Sequence, residues 1–312
     1  MRIFLKYFLL LTIILMAIIF IASIILLKPD FPGSEVTKKY KTPTSHFIEM
    51  DGMKVHYVLE GIGEQVVVLI HGTGSCFKTW DTWKDSLKNN YTILIPDMPG
   101  FGLTGPHPEG NYSIDYFTSF LKRLTDTLDI DSIYLAGNSL GGEIAWRFAE
   151  RYPMSVSKLL LVDPAGAVID RTKENEAIVF KIAGNPFLAR NMQRFDSKIM
   201  VKKTLKDVYG DDAKVTPQQL SMYYDMSMRE GNRKAFVDRI QMKGQEKGDA
   251  TKVKATTLIV WGDKDILIPI EEMEYFKKIP NAKTKVYSGV GHSPQEEIPA
   301  ESAHDALQFF KY

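Results

Sequence analysis

A serine, several aspartates and a histidine each follow a short hydrophobic segment of this chain, in the order Ser, Asp, His. Ser139 lies within the sequence GNSLGG (residues 137–142), and His292 lies within GHSP (residues 291–294). A serine hydroxyl becomes a nucleophile when a histidine accepts its proton and an acid orients that histidine. These residue types therefore indicate acyl transfer through a covalent acyl-enzyme.

The pattern Gly-x-Ser-x-Gly around Ser139 follows the apolar segment SIYLA (132–136) and precedes a helical pattern. A serine on such a strand–turn–helix connection stands on a strained turn at the edge of a sheet. Side chains at positions 137 and 141 are expected to clash with the neighbouring helix or strand, which explains the two glycines. We predict that Ser139 is the nucleophile and His292 the base.

The sequence His71-Gly72-Thr73-Gly74 follows a second apolar segment, VVVLI. Acyl transfer needs two backbone N–H groups aimed at the oxyanion, one from the residue after the nucleophile and one from a separate loop. We predict that Leu140 and Thr73 supply them. His71 is interpreted as a structural histidine that braces this loop.

Three aspartates are candidates for the acid beside the histidine. Asp263 and Asp265 follow the apolar segment TTLIVW, and Asp163 follows KLLLV. The carboxyl ends of parallel strands meet at one edge of a sheet, so all three can approach the site. The residues alone leave the choice open.

The elements that position these residues alternate between strands and helices. Such alternation predicts an α/β fold with a mostly parallel sheet flanked by helices, preceded by an antiparallel hairpin turning at Asp51-Gly52. The predicted buried strands are 65–70, 91–96, 132–136, 158–162, 256–261 and 284–287, and the clearest helices are 113–128, 140–151 and 300–310.

No convincing strand appears between Asp163 and Thr256, although the segment carries helical patterns and many Met and aromatic residues. A structureless loop of that length is improbable. We predict a helical cap at about residues 168–250, inserted into a hydrolytic domain of residues 46–312.

The amino terminus contains an uncharged segment, Tyr7–Leu27. At about 1.5 Å per residue it would span roughly the hydrocarbon core of a bilayer, and it lacks a small-x-small cleavage site. We predict a single-pass membrane anchor at residues 1–27 and a linker at 28–45. Lysines on both sides leave the orientation in the membrane open.

Composition excludes several other classes of protein. Lys plus Arg total 39 against 38 acidic residues, so no nucleic-acid partner is expected. Cys76 is the only cysteine, which we interpret as a buried, inert thiol, and no metal or cofactor is predicted.

Asp97 is expected to stabilise its own turn. The oligomeric state is not predicted. Glu296 and Glu297 are expected to face solvent or to support the site. Surface or packing roles are expected for His46, His56, His107 and His304, which have no partner at a recognisable spacing.

These motifs make residues 46–312 resemble the α/β-hydrolase superfamily, and the sequence DMPGFG (97–102) is a turn common in that family. The resemblance implies a Ser139–His292–acid triad. The family pattern WGxxD, here Trp261 to Asp265, ranks Asp265 first as the acid, Asp163 second and Asp263 third. The segment VSKLLLVDPAG (156–166) is similar to membrane-bound monoacylglycerol lipases of the superfamily.

The resemblance also narrows the substrate. Dehalogenases and epoxide hydrolases of the superfamily carry Asp where this chain has Ser139, and carbon–carbon hydrolases typically carry Trp where it has Ser293. We therefore predict an esterase or lipase for lipid-like, medium or long acyl esters. The alternatives are a carbon–carbon hydrolase, an amidase, a perhydrolase, or a hydrolase-fold ligand receptor with slow turnover.

Overall fold

The structure is a computed structural model that describes residues 2–168, 178–242 and 247–312. Within these ranges the side chains of residues 2–3, 18–26, 178 and 191–192 are not described. Eight strands form one sheet in the order β1-β2-β4-β3-β5-β6-β7-β8. The strands are β1 (Ser45–Met50), β2 (Met53–Gly61), β3 (Val66–Ile70), β4 (Thr92–Pro96), β5 (Ile133–Asn138), β6 (Val156–Val162), β7 (Thr256–Gly262) and β8 (Lys283–Tyr287).

The sheet is parallel from β4 to β8, and β2 pairs antiparallel with both β1 and β4. The predicted hairpin thus forms one edge of the sheet, as expected. All six predicted parallel strands are present with bounds that differ by a few residues. The predicted α/β-hydrolase fold with a mostly parallel sheet is confirmed.

Both faces of the sheet are buried because successive side chains of a strand point to opposite sides. In β3, Val67 and Leu69 belong to one core, and Val68 and Ile70 belong to the other. Helices cover the two faces: α3 (Asp81–Leu87) and α13 (Pro299–Lys311) on one, α4 (Ile114–Thr127) and α5 (Leu140–Arg151) on the other. Two short helices, α11 (Met273–Phe276) and α12 (Pro294–Glu297), flank β8 in sequence.

Among the described residues, five α-helices lie between β6 and β7, in the segment where the sequence predicts a cap. They are α6 (Ile178–Gly184), α7 (Pro186–Met192), α8 (Lys198–Val208), α9 (Pro217–Met228) and α10 (Asn232–Gln241). Thr216 and Gln219 form a capping box at the start of α9. The predicted cap limits stay a prediction, because residues 169–177 and 243–246 lie outside the described residues.

The first helix, α1 (Arg2–Leu26), contains most of the predicted anchor. In the part of the chain that the structure describes, no helix is long and apolar enough to cross a membrane. The predicted transmembrane helix is therefore not found. The side chains of residues 18–26, which complete the apolar segment, are outside the described set.

The segment predicted as a linker contains helix α2 (Gly33–Tyr40) and contacts the cap. Val36 is buried in one of the two cores. Asp30 accepts hydrogen bonds from Arg233 of the cap at 2.6 and 2.9 Å, and Lys28 pairs with Asp196 at 3.2 Å. Lys28 and Asp30 of this segment are therefore partners of cap side chains.

Candidate active site

Ser139 connects β5 to α5 on a strained turn. Its φ of 56° lies in the left-handed region, which non-glycine residues rarely adopt. A Cβ on Gly137 would lie 2.1 Å from the Gly141 carbonyl oxygen, and a Cβ on Gly141 would lie 2.2 Å from that of Ile70. The glycines are therefore required by close backbone approach, one to the helix and one to strand β3, as the sequence indicated.

His292 follows β8 and is buried beside Asp265. Its Nδ1 lies 2.6 Å from Asp265 Oδ2. This bond leaves Nε2 as the ring nitrogen that can exchange a proton with a substrate or nucleophile. Ser139 and His292 line the same cavity. The base candidate, its acid and the nucleophile candidate therefore converge at one edge of the sheet.

The structure distinguishes the three candidate acids. Asp265 contacts His292, and its Oδ1 accepts the main-chain N–H groups of Leu267 and Ile268 at 2.8 and 3.0 Å. These donors orient the carboxylate and stabilise its charge. Asp263 instead accepts from Ser288 Oγ and Gly289 N, in an exposed turn.

Asp163 is fully buried against Asp265 and does not contact the ring of His292 through any hydrogen bond of the described residues. Burial raises the pKa of Asp163 well above its usual range, and the neighbouring Asp265 raises it further. Its Oδ1 accepts from Gly262 N at 2.9 Å. Asp163 therefore lies behind Asp265 as a buried acid and is not the direct partner of His292.

Side-chain atoms of Asp163, Asp265 and His292 lie within 4.8 Å of one another, a spacing that a metal ion can use. The His292–Asp265 hydrogen bond, however, occupies the ring nitrogen and carboxylate oxygen that a metal would need. We therefore interpret these residues as a base with its supporting acids.

The two predicted oxyanion donors border the same site. Leu140 is the first residue of α5, and first-turn N–H groups have no partner within their helix. Thr73 lines the cavity together with Ser139. His71 Nδ1 lies 2.8 Å from the Gly72 carbonyl oxygen, and Met98 N donates to His71 Nε2 at 3.1 Å. The prediction that His71 braces this loop is confirmed.

Two residues hold the histidine loop: Asn138, for which no such role was predicted, and Glu297. Asn138 Nδ2 donates to the main-chain oxygens of His292 and Val162 at 2.9 and 3.2 Å. Glu297, predicted as solvent-facing or supporting, is buried and accepts from Gly291 N at 2.8 Å and from Gly210 N of the cap at 3.0 Å. Only the position of Asn138 beside the nucleophile could have indicated its role.

A second Ser–His–Asp arrangement lies elsewhere. His56 Nδ1 is 2.7 Å from Asp97 Oδ2, and His56 Nε2 is 2.8 Å from Ser45 Oγ. His56 is buried, in agreement with the packing role among its two predicted roles, and the strand pairing of β2 with β4 also brings it to Asp97, a partner that was not predicted. Neither Ser45 nor His56 lines the cavity that contains Ser139.

Asp97 holds this second arrangement and its own turn. It accepts from Phe77 N at 2.7 Å and Leu103 N at 2.8 Å, which confirms its predicted structural role. Burial opposes ionisation, but His56, His71 and the Leu103 amide together lower the pKa of Asp97 below its usual value. Asp97 is therefore a buried carboxylate that fastens loops together.

The cavity that contains Ser139 has a volume of about 610 Å³. Cap helices supply most of its apolar wall: Val179, Phe180, Ile182, Leu188, Met200, Val201, Leu205, Val208, Met226 and Phe236. This volume is within the range of about 300–1,000 Å³ for small-molecule sites. Cys76 lies outside the lining, is buried, and has its pKa raised by burial, as expected for an inert thiol.

Comparison with known proteins gives one family. Residues 65–299 match the family model described as the alpha/beta hydrolase fold. The chain is 28% identical over 263 residues to Lipase 3 of Moraxella sp. (strain TA144), covering 80% of this chain and 78% of the lipase. It is 26% identical over 245 residues to the 2-hydroxy-6-oxo-2,4-heptadienoate hydrolase of Pseudomonas putida, covering 74% and 83%.

Among solved structures, a membrane phospholipase A described as a bacterial virulence factor superposes with a TM-score of 0.74 at 22% identity. The match covers 100% of this chain and 98% of that protein. At 22% sequence identity, this similarity supports a shared fold only.

Proposed function

Because the chain belongs to the α/β-hydrolase family, we propose that it is a serine hydrolase of carboxylic esters with lipid-like, medium or long acyl groups. The observation that carries this proposal is the placement of Ser139 and the Asp265-bound His292 in one largely apolar cavity. An ester with a long acyl chain fits such a cavity, because its polar carbonyl group can lie beside Ser139 and His292 while its acyl chain contacts the apolar wall.

In the proposed mechanism, His292 Nε2 accepts the proton of Ser139 Oγ while that oxygen attacks the acyl carbon. The oxyanion forms beside the N–H groups of Thr73 and Leu140. His292 then protonates the departing alcohol, leaving an acyl-enzyme on Ser139. A water that loses its proton to His292 attacks the acyl carbon, and Ser139 regains its proton as the acid product leaves. Asp265 stabilises the imidazolium in both halves.

A carbon–carbon hydrolase is the second candidate, since one relative carries that kind of name. Ser293, at the position where the resemblance implies Trp in such enzymes, favours ester cleavage. A panel of p-nitrophenyl esters from acetate to palmitate distinguishes the ester hydrolase from the carbon–carbon hydrolase. We expect multiple turnover with a preference for longer chains, lost in Ser139→Ala. Absence of ester turnover, with cleavage of a meta-cleavage product, would support the second candidate.

A pair of variants tests whether the cavity holds the acyl chain. Val201 lines the cavity on α8, whereas Lys206 is exposed on the same helix. Val201→Phe should shift the preference toward shorter esters, because the added ring fills the acyl site. Lys206→Phe, the same new side chain outside the cavity, should leave the acyl-length profile unchanged.

We also propose that residues 1–27 anchor the protein to a membrane. The support is the uncharged segment Tyr7–Leu27 and the exposure of apolar side chains along α1, for example Tyr7 and Leu11 at 65% each. The full chain should stay with membranes after carbonate washing, and a chain without residues 1–26 should not. Release of the full chain by carbonate would contradict the anchor without affecting the hydrolase proposal.

A further inference from the structure

Helix α8 of the cap has two different faces. Val201, Leu205 and Val208 line the active-site cavity at helical spacing. Lys198, Ile199 and Lys202 of the same helix are exposed to solvent, and Ile199, which lies on the opposite side from Val201, is 79% exposed. The inner face is explained by the cavity, but an aliphatic side chain between two lysines on the outer face is not.

Helix α7 repeats this arrangement. Phe187 is 79% exposed, and Arg190 is exposed on the same helix. Leu188 lines the cavity and is also 45% exposed. The exposed helix α7 is therefore also part of the cavity wall. We call Phe187, Leu188, Arg190, Lys198, Ile199 and Lys202 the outer face of the cap.

The charge of this region differs from that of the whole chain. Residues 181–203 contain six basic residues and one acidic residue, whereas the whole chain has a net charge of only +1. The basic residues are Lys181, Arg190, Arg194, Lys198, Lys202 and Lys203, and the acidic residue is Asp196. Basic residues that surround exposed apolar side chains are typical of surfaces that bind anionic lipid.

The end of α1 lies against the same segment. Leu27 forms an isolated β-bridge with Phe195, and Lys28 N donates to the Arg194 carbonyl oxygen at 3.0 Å. The apolar helix α1 thus ends against the segment that connects α7 to α8. A lipid bilayer is the partner that can accommodate both an exposed apolar helix and this basic, apolar surface.

We propose that the outer face of the cap docks on an anionic lipid bilayer and places the cavity wall formed by α7 and α8 at the membrane surface. The docking claim stands on the cap itself. Its consequence, that acyl chains reach Ser139 from the bilayer, rests on the proposed ester hydrolase function.

The four native tryptophans make a fluorescence test possible, because Trp80, Trp83, Trp146 and Trp261 are each at most 1% exposed. Ile199→Trp introduces a probe on the outer face. The control is Ile62→Trp. Ile62 is 83% exposed and lies near the amino end of β3, whereas the active site lies at the carboxyl ends of the parallel strands. Both full-length variants are reconstituted in vesicles of brominated phosphatidylglycerol or brominated phosphatidylcholine.

Bromine atoms on acyl chains quench only tryptophans that reach the hydrocarbon. We expect quenching of the Ile199→Trp probe in phosphatidylglycerol vesicles, weaker quenching in phosphatidylcholine, and none beyond the native background for Ile62→Trp. Adding Lys198→Glu and Lys202→Glu should bring the Ile199→Trp signal down to the control level. Equal quenching of both probes, or quenching that ignores lipid charge, would overturn the proposal.

Hydrolysis assays separate this proposal from the proposed function. The Lys198→Glu/Lys202→Glu variant should hydrolyse a soluble short-chain ester at the wild-type rate and lose activity on a long-chain ester embedded in phosphatidylglycerol vesicles. Retained activity on the embedded ester would contradict docking as the route to the site. If the wild-type protein cleaves neither ester, the proposed function fails while the quenching result still decides the docking claim.

Discussion

Asn138 Nδ2 donates a 2.9 Å hydrogen bond to the main-chain oxygen of His292, so the residue before the nucleophile holds the loop that carries the base. The same amide also donates to Val162 at the end of β6. One side chain therefore sets the relative position of β5, β6 and the histidine loop. The distance between nucleophile and base depends on this contact as well as on the backbone.

Asn138→Ala should lower kcat by about 10–100-fold, the usual effect of removing a group that orients a reacting side chain. The KM should change less, because the cavity wall is intact. Steady-state kinetics measure the split, with circular dichroism as the control for folding. An unchanged kcat in a folded variant would show that the histidine loop is positioned without Asn138.

The aspartates near His292 should differ sharply in how far kcat falls when each is replaced by asparagine. Asp265→Asn should reduce kcat by about 10³–10⁴-fold, because the imidazolium loses its counter-charge and the ring its tautomer. Asp163→Asn should stay within about tenfold, because Asp163 makes no hydrogen bond to His292 and its burial, which raises its pKa, favours an uncharged side chain such as the amide. Asp263→Asn serves as the matched exposed control. A larger loss for Asp163→Asn than for Asp265→Asn would reverse the assignment.

The Ser45–His56–Asp97 arrangement should prove structural. Ser45→Ala should retain esterase activity, whereas Asp97→Asn should lower the free energy of unfolding by about 1–3 kcal/mol, the usual cost of leaving buried hydrogen-bonding groups without their partner. Urea denaturation measures the second effect and ester hydrolysis the first. Loss of activity in a stably folded Ser45→Ala variant would contradict the structural role.

Glu296 should make stability depend on pH. Burial raises the pKa of Glu296 to about 7, against an opposing hydrogen bond from Tyr223. Below the unfolded-state pKa of about 4.3, Glu296 is protonated in both the folded and the unfolded protein. Between about pH 4.3 and 7 it is protonated only in the folded protein, and above that range it is ionised in both. Stability should therefore fall between about pH 4.3 and 7 and level off above.

Glu296→Gln keeps the Tyr223 contact without the titration. The variant should match the wild type near pH 4.5 and exceed it by about 1–3 kcal/mol at pH 8. Denaturant unfolding at both pH values checks this. A stability difference that does not vary with pH would mean that Glu296 titrates normally.

The sheet could be predicted from sequence because its strands are short apolar segments at regular intervals, and the turn at Ser139 because its glycines leave a local pattern. Asp265 could be ranked by its motif, and the structure places it beside His292. His56 and Asp97 could not be paired in this way. They are 41 positions apart, and only the register of β2 against β4 joins them.

The structure of segment 28–45 also could not be predicted from the sequence. Its prolines and lysines suggest a linker, yet it contains α2 and buries Val36. Helix formation there depends on packing against the rest of the chain, and Lys28 and Asp30 find their partners in the cap. Tertiary contacts of this kind leave no periodic signal in a short polar segment.

The central claim is that Ser139 is the one nucleophile activated by His292. Reaction with a fluorophosphonate, followed by peptide mapping with mass spectrometry, tests it directly. We predict a single adduct on Ser139 in the wild type, slowed by several orders of magnitude in His292→Ala and absent in Ser139→Ala. An adduct on Ser45, or labelling of Ser139 at the wild-type rate without His292, would contradict the account.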